Sequence, residues 1–329
     1  MHRERVSDNV YWFQSDVYAQ VTAGVIVGPQ WAVVIDTLAL PDETLGMREF
    51  IEHELGVPVR YVINTHYHAD HSWGNCFFPG ATIIAHTHCR ELLIERGIPS
   101  LESASKQNMA FRQVKIVLPH MTFNQGNMTL RVGKKNLTLR TALGHSADGI
   151  SVLVEEDRVL FAGDAFMPIP YVVDGNVDDI VASIKRISHM GLENIVQGHG
   201  DIILRGEIEG AIKENLNYIS AIKKAARIAS RRKVPLEYLE GVSVEDCGKS
   251  RVNLGGLAVQ LHERNLQALL QHIQSGNDSG KDDQPARKLT EKSQAPGSFL
   301  RCIAMIWLSP FAFGPDPPVQ ALFDDAFLA

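Results

Sequence analysis

The chain opens with short runs of apolar, β-branched and aromatic residues separated by turn residues. Residues 10–14, 21–27 and 31–35 read as three consecutive strands, the last two split by Gly28-Pro29-Gln30. Asp36-Thr37 closes the third. The period then changes. Leu45, Met47, Phe50, Ile51 and Leu55 recur at roughly helical spacing, so residues 41–54 predict a helix opened by Asp42-Glu43. Residues 57–64 and 81–85 predict strands, with a short helix at 73–78 between them and a longer one at 88–96. Residues 97–114 are polar and poorly patterned, which suggests an irregular flap.

The second half repeats the alternation. Residues 115–118 and 128–132 predict strands. Gly133-Lys134-Lys135-Asn136 reads as a hairpin turn that returns as residues 137–143. A second hairpin joins 150–154 to 159–161 through Glu155-Glu156-Asp157. Residues 178–190 form a helix with Ile180, Ile184 and Ile187 on one face, and Ile195-Val196 is the last core strand. Two strand-rich halves with interleaved helices suggest two sheets packed face to face with helices outside.

Beyond residue 200 the pattern is helical. Ile208, Ile212, Leu216, Ile219 and Ile222 make an apolar stripe over residues 207–232, and Lys223, Lys224, Arg227, Arg231, Arg232 and Lys233 gather at its end. Cations there complement the helix dipole, a solvated-face reading preferred to an anionic-partner site. Residues 257–273 predict a second helix carrying Leu261, Leu266, Leu269 and Leu270. These two helices are expected to pack on the sandwich or to mediate a homodimer. Residues 1–275 therefore read as one domain, 276–298 as a flexible linker rich in small, polar and charged residues, and 299–329 as a poorly structured tail. The apolar stretch 299–313 carries Arg301 and Pro310 and falls short of the about 20 residues that span a bilayer.

Composition narrows the class. Hydrophobic residues are 45% and charged residues 21%, an ordinary globular balance. The net charge of −6 and the lack of a long basic block argue against nucleic acid, and no membrane partner is expected. The four cysteines, Cys76, Cys89, Cys247 and Cys302, are widely spaced and form no disulfide framework. The first residues lack the apolar core of a signal peptide. Together these suggest a reduced, cytoplasmic setting and a small-molecule substrate.

The chemistry lies at strand ends. His66, His68, Asp70 and His71 fall within six residues directly after the run 57–63. Imidazole and carboxylate are ligand types that zinc and its neighbours prefer. A strand ending in such a cluster delivers all four groups to one sheet edge. Gly144-His145-Ser146, Gly163-Asp164 and Gly198-His199-Gly200 each follow another apolar run. With the first cluster they complete a seven-ligand set, the complement that two metal ions sharing a bridge require. His86-Thr87-His88 also has ligand-like spacing but reads better as a helix start.

The motif order, His-x-His-x-Asp-His, then Gly-His-Ser, then Gly-Asp, then Gly-His, resembles the metallo-β-lactamase superfamily over about residues 10–200. The resemblance implies an α+β fold, the four-layer αββα sandwich. It implies two Zn2+, with iron or manganese as alternatives: one on His66, His68 and His145, the other on Asp70, His71 and His199, bridged by Asp164. A hydroxide held between them would be the nucleophile, and Asp70 would be catalytic, orienting it and passing a proton to the leaving group. Asp36, Thr65 and Asp148 are candidates to support the ligands from behind.

Two departures bear on the reaction. The commonest zinc β-lactamases have a Cys where this chain has Asp164, and they lack the His that stands here at His71. No Lys follows Asp164 closely to grip a carboxylate; Phe166, Met167, Pro168, Ile169, Pro170 and Tyr171 follow instead, and Tyr18 sits in the first hairpin loop. The expectation is a zinc-dependent hydrolase of a small, neutral, ring-containing substrate, with a lactone, ester, amide or lactam, phosphoester or activated aryl halide as the bond. An iron-dependent enzyme of sulfur or oxygen redox chemistry and a β-lactamase are the alternatives.

Overall fold

A computed structural model describes residues 1–276. The expected linker beyond Gly276 and the tail 299–329 lie outside the described residues. The first sheet has seven strands in chain order: β1 (His2–Ser7), β2 (Val10–Gln14), β3 (Thr22–Val27), β4 (Ala32–Ile35), β5 (Val59–Ile63), β6 (Thr82–His86) and β7 (Met121–Phe123). β1 to β4 run antiparallel, and β4 to β7 run parallel. The second sheet contains β8 (Asn127–Val132), β9 (Lys135–Thr141), β10 (Ile150–Val154), β11 (Val159–Gly163), β12 (Asn194–Gln197) and β13 (Ile203–Leu204), in the order β13-β12-β11-β10-β9-β8. Its one parallel pair is β11 with β12.

The period of two decides which residues meet. Val33 and Ile35 of β4 face the second sheet and pack with Ile63, Leu137, Val152 and Phe161, whereas Val34 faces outward to the helices. Each such buried side chain contributes roughly 1.5–3 kcal/mol. Parallel neighbours need crossover connections. Helix α1 (Pro41–Glu49), with Pro41 starting it and Asp42 and Glu43 in its first turn, makes the first and runs on into a wide turn, Phe50–Glu54. Helices α2 (Ala69–Ser72), α3 (Thr87–Leu92) and α4 (Ile98–Gln107) follow along the same sheet. Over the second sheet lie α5 (Val177–Ser188), α6 (Ile208–Ala229), α7 (Pro235–Glu240) and α8 (Ala258–Gln274). Ile184, Ile222 and Leu261 pack in the same cluster as Leu160 and Ile195, giving helix, sheet, sheet, helix.

Four expectations need correction. Val10–Gln14 is the second strand, because the exposed, charged His2–Ser7 pairs on its edge without any apolar alternation to announce it. Residues 97–114 are largely helical: Pro99 sits in the first turn of α4, and its buried face is Ser100 and Ala104, too weakly apolar to show a period. Residues 115–118 form no strand; the edge strand comes later, at β7, held through Ile84↔Met121. The helix expected at residues 73–78 starts earlier: α2 begins at Ala69 inside the histidine motif, and a tight turn, Trp73–Phe77, continues it.

Topology then fixes the site. β4 and β5 are parallel neighbours with Ile35 opposite Ile63, so Asp36 and the motif from Thr65 leave the sheet side by side. β11 and β12 are parallel with Gly163 opposite Gln197, so Asp164 and His199 leave the other sheet together. Ligand-bearing residues gather at such carboxyl ends.

Candidate metal centre

Two carboxylates and five imidazoles meet in the buried space between these strand ends. His66, His68, His145 and Asp164 form one group, and Asp70, His71 and His199 form the other. Within each group the facing donor atoms lie within 4.8 Å of one another. In the first, His66 Nε2 is 2.9 Å and His145 Nε2 3.0 Å from His68 Nδ1. Asp164 Oδ2 is 3.3 Å from His145 Nε2 and 3.8 Å from His66 Nε2. In the second, Asp70 Oδ2 lies 3.3 Å from His199 Nε2 and 3.8 Å from His71 Nε2. Metal–nitrogen bonds of about 2.0–2.1 Å in a tetrahedron place neighbouring donors about 3.3 Å apart, so these spacings fit. Asp164 faces both groups: Oδ1 is 3.3 Å from His71 Nε2, and Oδ2 lies 3.3 Å from His145 Nε2 and 3.5 Å from His199 Nε2.

The far sides of the imidazoles decide which nitrogen faces inward. His145 Nδ1 meets the carbonyl of Tyr171 at 3.2 Å, and His199 Nδ1 meets the carbonyl of Ala19 at 2.9 Å. A carbonyl only accepts, so each Nδ1 carries the proton and each Nε2 turns a lone pair to the centre. His71 Nδ1 likewise meets Asp36 Oδ2 at 2.9 Å, and His66 Nδ1 lies 3.1 Å from Thr65 Oγ1. Meanwhile Asp70 Oδ2, His71 Nε2 and Asp164 Oδ1 are buried and make no hydrogen bond. Each has only ion-pair neighbours at 3.3–3.8 Å, and a buried atom without a hydrogen bond costs about 1–3 kcal/mol unless a cation fills the space between them. The donor set therefore fits two divalent ions.

Charge points the same way. Burial holds His66 and His68 well below the ordinary imidazole range, and the neighbouring imidazoles add to it, so both are neutral, the ligating form. Burial pushes the Asp164 carboxyl up, but His199, His71 and His145 outweigh it and hold it well below the usual range. Burial alone would lower His71, yet Asp164, Asp70 and Asp36 raise it well above its ordinary value. Protons on the acid-rich half stand where a metal ion's charge would replace them.

Local structure holds this shell. Asp36 adopts a left-handed backbone (φ 57°) at the end of β4, a conformation costly outside glycine. It accepts from both the backbone amide and the hydroxyl of Thr65 at 2.7 Å, besides His71. Beneath α2, Asn64 and Asn75 exchange side-chain hydrogen bonds, and Asn64 also donates to the carbonyl of His71. Glycine is required twice. A side chain at Gly198 would collide with Asp164 Oδ1, and one at Gly144 (φ +133°) would collide with the start of α5 at Ile180.

All seven expected ligand residues come together, with Asp36 and Thr65 behind them as anticipated. Asp148 touches no ligand imidazole but meets the residues next to the ligands. It is buried beside the Ser146 hydroxyl, the Cys89 thiol and the backbone amide of Tyr67, and burial pushes its carboxyl up to about 6. His86 caps α3 by accepting from the amide of His88, and the pair forms no metal group with a third residue among the described residues. Residues 166–171 are mostly buried, and their carbonyls are tied down: Asn215 of α6 donates to Met167, and Asn265 of α8 donates to Pro170 while accepting from the amide of Val172. The sequence reading missed both asparagines. Their signal was present: each interrupts an apolar stripe at a core-facing helical position, Asn215 between Ile212 and Ile219 and Asn265 between Leu261 and Leu269.

Residues 18–206 match the model of the metallo-beta-lactamase superfamily. The chain belongs to that superfamily. It is 24% identical over 178 residues to a Caenorhabditis elegans protein described as beta-lactamase-like protein 2 homolog, covering 52% of this chain and 55% of that one. It is 26% identical over 182 residues to an Emericella nidulans protein described as thioesterase pkgB, covering 54% of this chain and 41% of that one. The chain thus spans about half the length of these two relatives. A human protein described as acyl-coenzyme A thioesterase MBLAC2 is 24% identical over 250 residues, covering 68% of this chain and 84% of that one. Among solved structures, a metallo-beta-lactamase family protein from Thermus thermophilus superposes with a TM-score of 0.61 at 18% identity, over 85% of this chain and 97% of that one. That likeness concerns the fold, the α+β sandwich of the superfamily. No helix among the described residues is long and apolar enough to cross a membrane.

Proposed function

We propose that this chain is a hydrolase that carries two divalent metal ions, zinc first among the candidates, and acts on a small, neutral, ring-containing molecule. The observation that carries the hydrolase reading is the inward-facing donor set, with three of its buried atoms making no hydrogen bond. His66, His68, His145 and Asp164 would hold one ion; Asp70, His71 and His199, with Asp164 shared, would hold the other. When bound, such a pair supplies an acidified water and polarises the attacked group. The chain's own residues do the rest. Asp70 turns one carboxylate oxygen inward beside His199 and His71, where besides holding the ion it would orient that water and pass a proton to the leaving group. Asp36 and Thr65 lock the ligand loop in place, and the buried strap 166–172 keeps bulk water away.

Two observations support a neutral substrate. The ion-pair partners of Asp70 and Asp164 among the described residues are histidines. Buried aromatic residues border the shell: the Tyr67 ring stands 4.4 Å from His68, the Tyr171 ring 6.0 Å from His145, and Tyr18 feels the charge of Asp70. A second reading, hydrolysis of an acyl thioester, is favoured by the two relatives described as thioesterases.

The test is metal analysis by mass spectrometry, then turnover of neutral aryl esters, lactones and aryl halides beside acyl thioesters and β-lactams. About two zinc per chain and turnover of one neutral ring class, lost by about 10²–10⁴-fold in Asp70→Ala, is the expected result. Turnover of thioesters alone would transfer the assignment to the second reading. Iron in place of zinc, with silence across the panel, would sink the hydrolase reading in favour of redox chemistry.

A further inference from the structure

Away from the metal centre, α5 and α6 diverge to leave a groove of about 580 Å³. Five cations line it: Lys185 from α5, and Lys223, Lys224, Arg227 and Arg231 from α6 and its end. The one acid in the groove, Asp178, is already engaged by Lys223 at 3.1 Å. Between Lys223 and Lys233 the sequence holds six cations and no acid, in a chain whose net charge is −6. Dipole complementation within the last turn accounts for Lys185 of α5 and Arg227 of α6, but not for Lys223 and Lys224, which stand more than a turn before the end of α6. Like charges gathered in a concave site repel one another, and an anion relieves that repulsion.

The groove also has an apolar floor, made by Val181, Leu216, Ile219 and Ile228. Arg227 in the last turn of α6 and Arg231 just beyond its end carry planar forks of donors that match phosphate oxygens, while the lysines supply point charges beside them. A lone carboxylate would engage only part of this set. A phosphate ester with a flat or apolar portion would use both the rim and the floor.

We infer that the α5–α6 groove is a binding site for a phosphorylated organic molecule of the nucleoside diphosphate kind, separate from the metal centre. Lys223 and Arg227 also border the adjoining cavity of about 340 Å³, whose wall includes Val172, Val173 and Asn176. That wall follows directly on Tyr171, the residue whose carbonyl holds His145. The site is therefore next to the loop that supports the metal shell, yet contributes no ligand to it.

The test is direct binding to the full chain and does not depend on turnover. Titration calorimetry with ADP and with pyrophosphate is expected to show saturable binding, tighter for ADP, and weaker as salt rises. Lys224→Glu with Arg231→Glu, and separately Lys185→Gln with Lys224→Gln, should each weaken ADP at least tenfold while the melting temperature and metal content hold. In the unaltered chain, ADP should protect Lys185, Lys223 and Lys224 from acetylation read by mass spectrometry. No binding of either probe, or no protection of these lysines, overturns the inference. Sedimentation with phosphatidylserine vesicles that ADP does not reverse overturns it too, in favour of a lipid surface.

Discussion

At the residue scale, the side chains behind the ligands set how well the shell is prepared. Asp36 takes three hydrogen bonds, two from Thr65 and one from His71, and its left-handed backbone is held by those contacts. Asp36→Ala removes the group that orients His71 and leaves the amide of Thr65 without its partner. Metal affinity should fall by about 10–100-fold, read by competition with a chelator, with the fold retained by circular dichroism. Unchanged affinity would show that His71 needs no such support. Asp148 carries a different lesson. Its carboxyl, raised by burial to about 6, is protonated more readily in the folded chain than in the unfolded one. Its contribution to stability is complete below the ordinary carboxylate value and is lost as pH rises through about 6. Asp148→Asn should therefore gain about 1–2 kcal/mol on the unaltered chain between pH 5 and pH 7.5. Denaturant melts at the two pH values check it; a constant difference would mean that Asp148 is charged throughout. The seven ligand residues were legible because each ends an apolar run, and four stand nearly together. For Asp148 a position three residues after His145 does not say that its carboxyl meets Tyr67 and Ser146, the neighbours of the ligands, and not a ligand imidazole.

At the element scale, strands and helices were legible wherever burial left a period. The parallel strands β4, β5 and β6 of the first sheet, the two hairpins of the second, and α5, α6 and α8 all carry apolar faces that the sequence displays. β1 and α4 do not, since one is a charged edge and the other buries a serine and an alanine. What no period could show is how a helix holds a loop far from it in sequence. Asn265 lies on the buried face of α8, yet its side chain satisfies the carbonyl of Pro170 and the amide of Val172, on either side of the residue that supports His145. Asn265→Ala leaves both backbone groups stranded. It should cost about 2–4 kcal/mol, seen in urea melts, and should weaken metal binding as well. Leu269→Ala, one turn along the same helix face, should cost stability through packing alone. Equal losses of metal affinity in the two variants would remove the strap from the argument.

At the scale of the whole molecule, the metal centre is the seam between the sheets. His66, His68, Asp70 and His71 follow β5 of the first sheet; His145, Asp164 and His199 come from loops of the second. Each proposed ion takes ligands from both, so loading joins two layers that otherwise meet through the apolar side chains between them. The β2–β3 loop adds a second crossing, with the carbonyl of Ala19 holding His199 and the amide of Gly200 donating to Gln20. Both residues of that loop, Ala19 and Gln20, adopt left-handed backbones, a strain of order 1–3 kcal/mol each that the crossing bonds must hold. Removing the metal strands the inward atoms and loosens the seam at once. Chelation should therefore lower the melting temperature of the entire chain in one cooperative step, with zinc at about a thousand times its dissociation constant restoring about 4 kcal/mol. The measurement is calorimetry of the stripped and reloaded protein. A second, separate transition on chelation would show the sheets to be stable apart. An unchanged melt would show the centre to be preformed by the histidine and asparagine bonds alone.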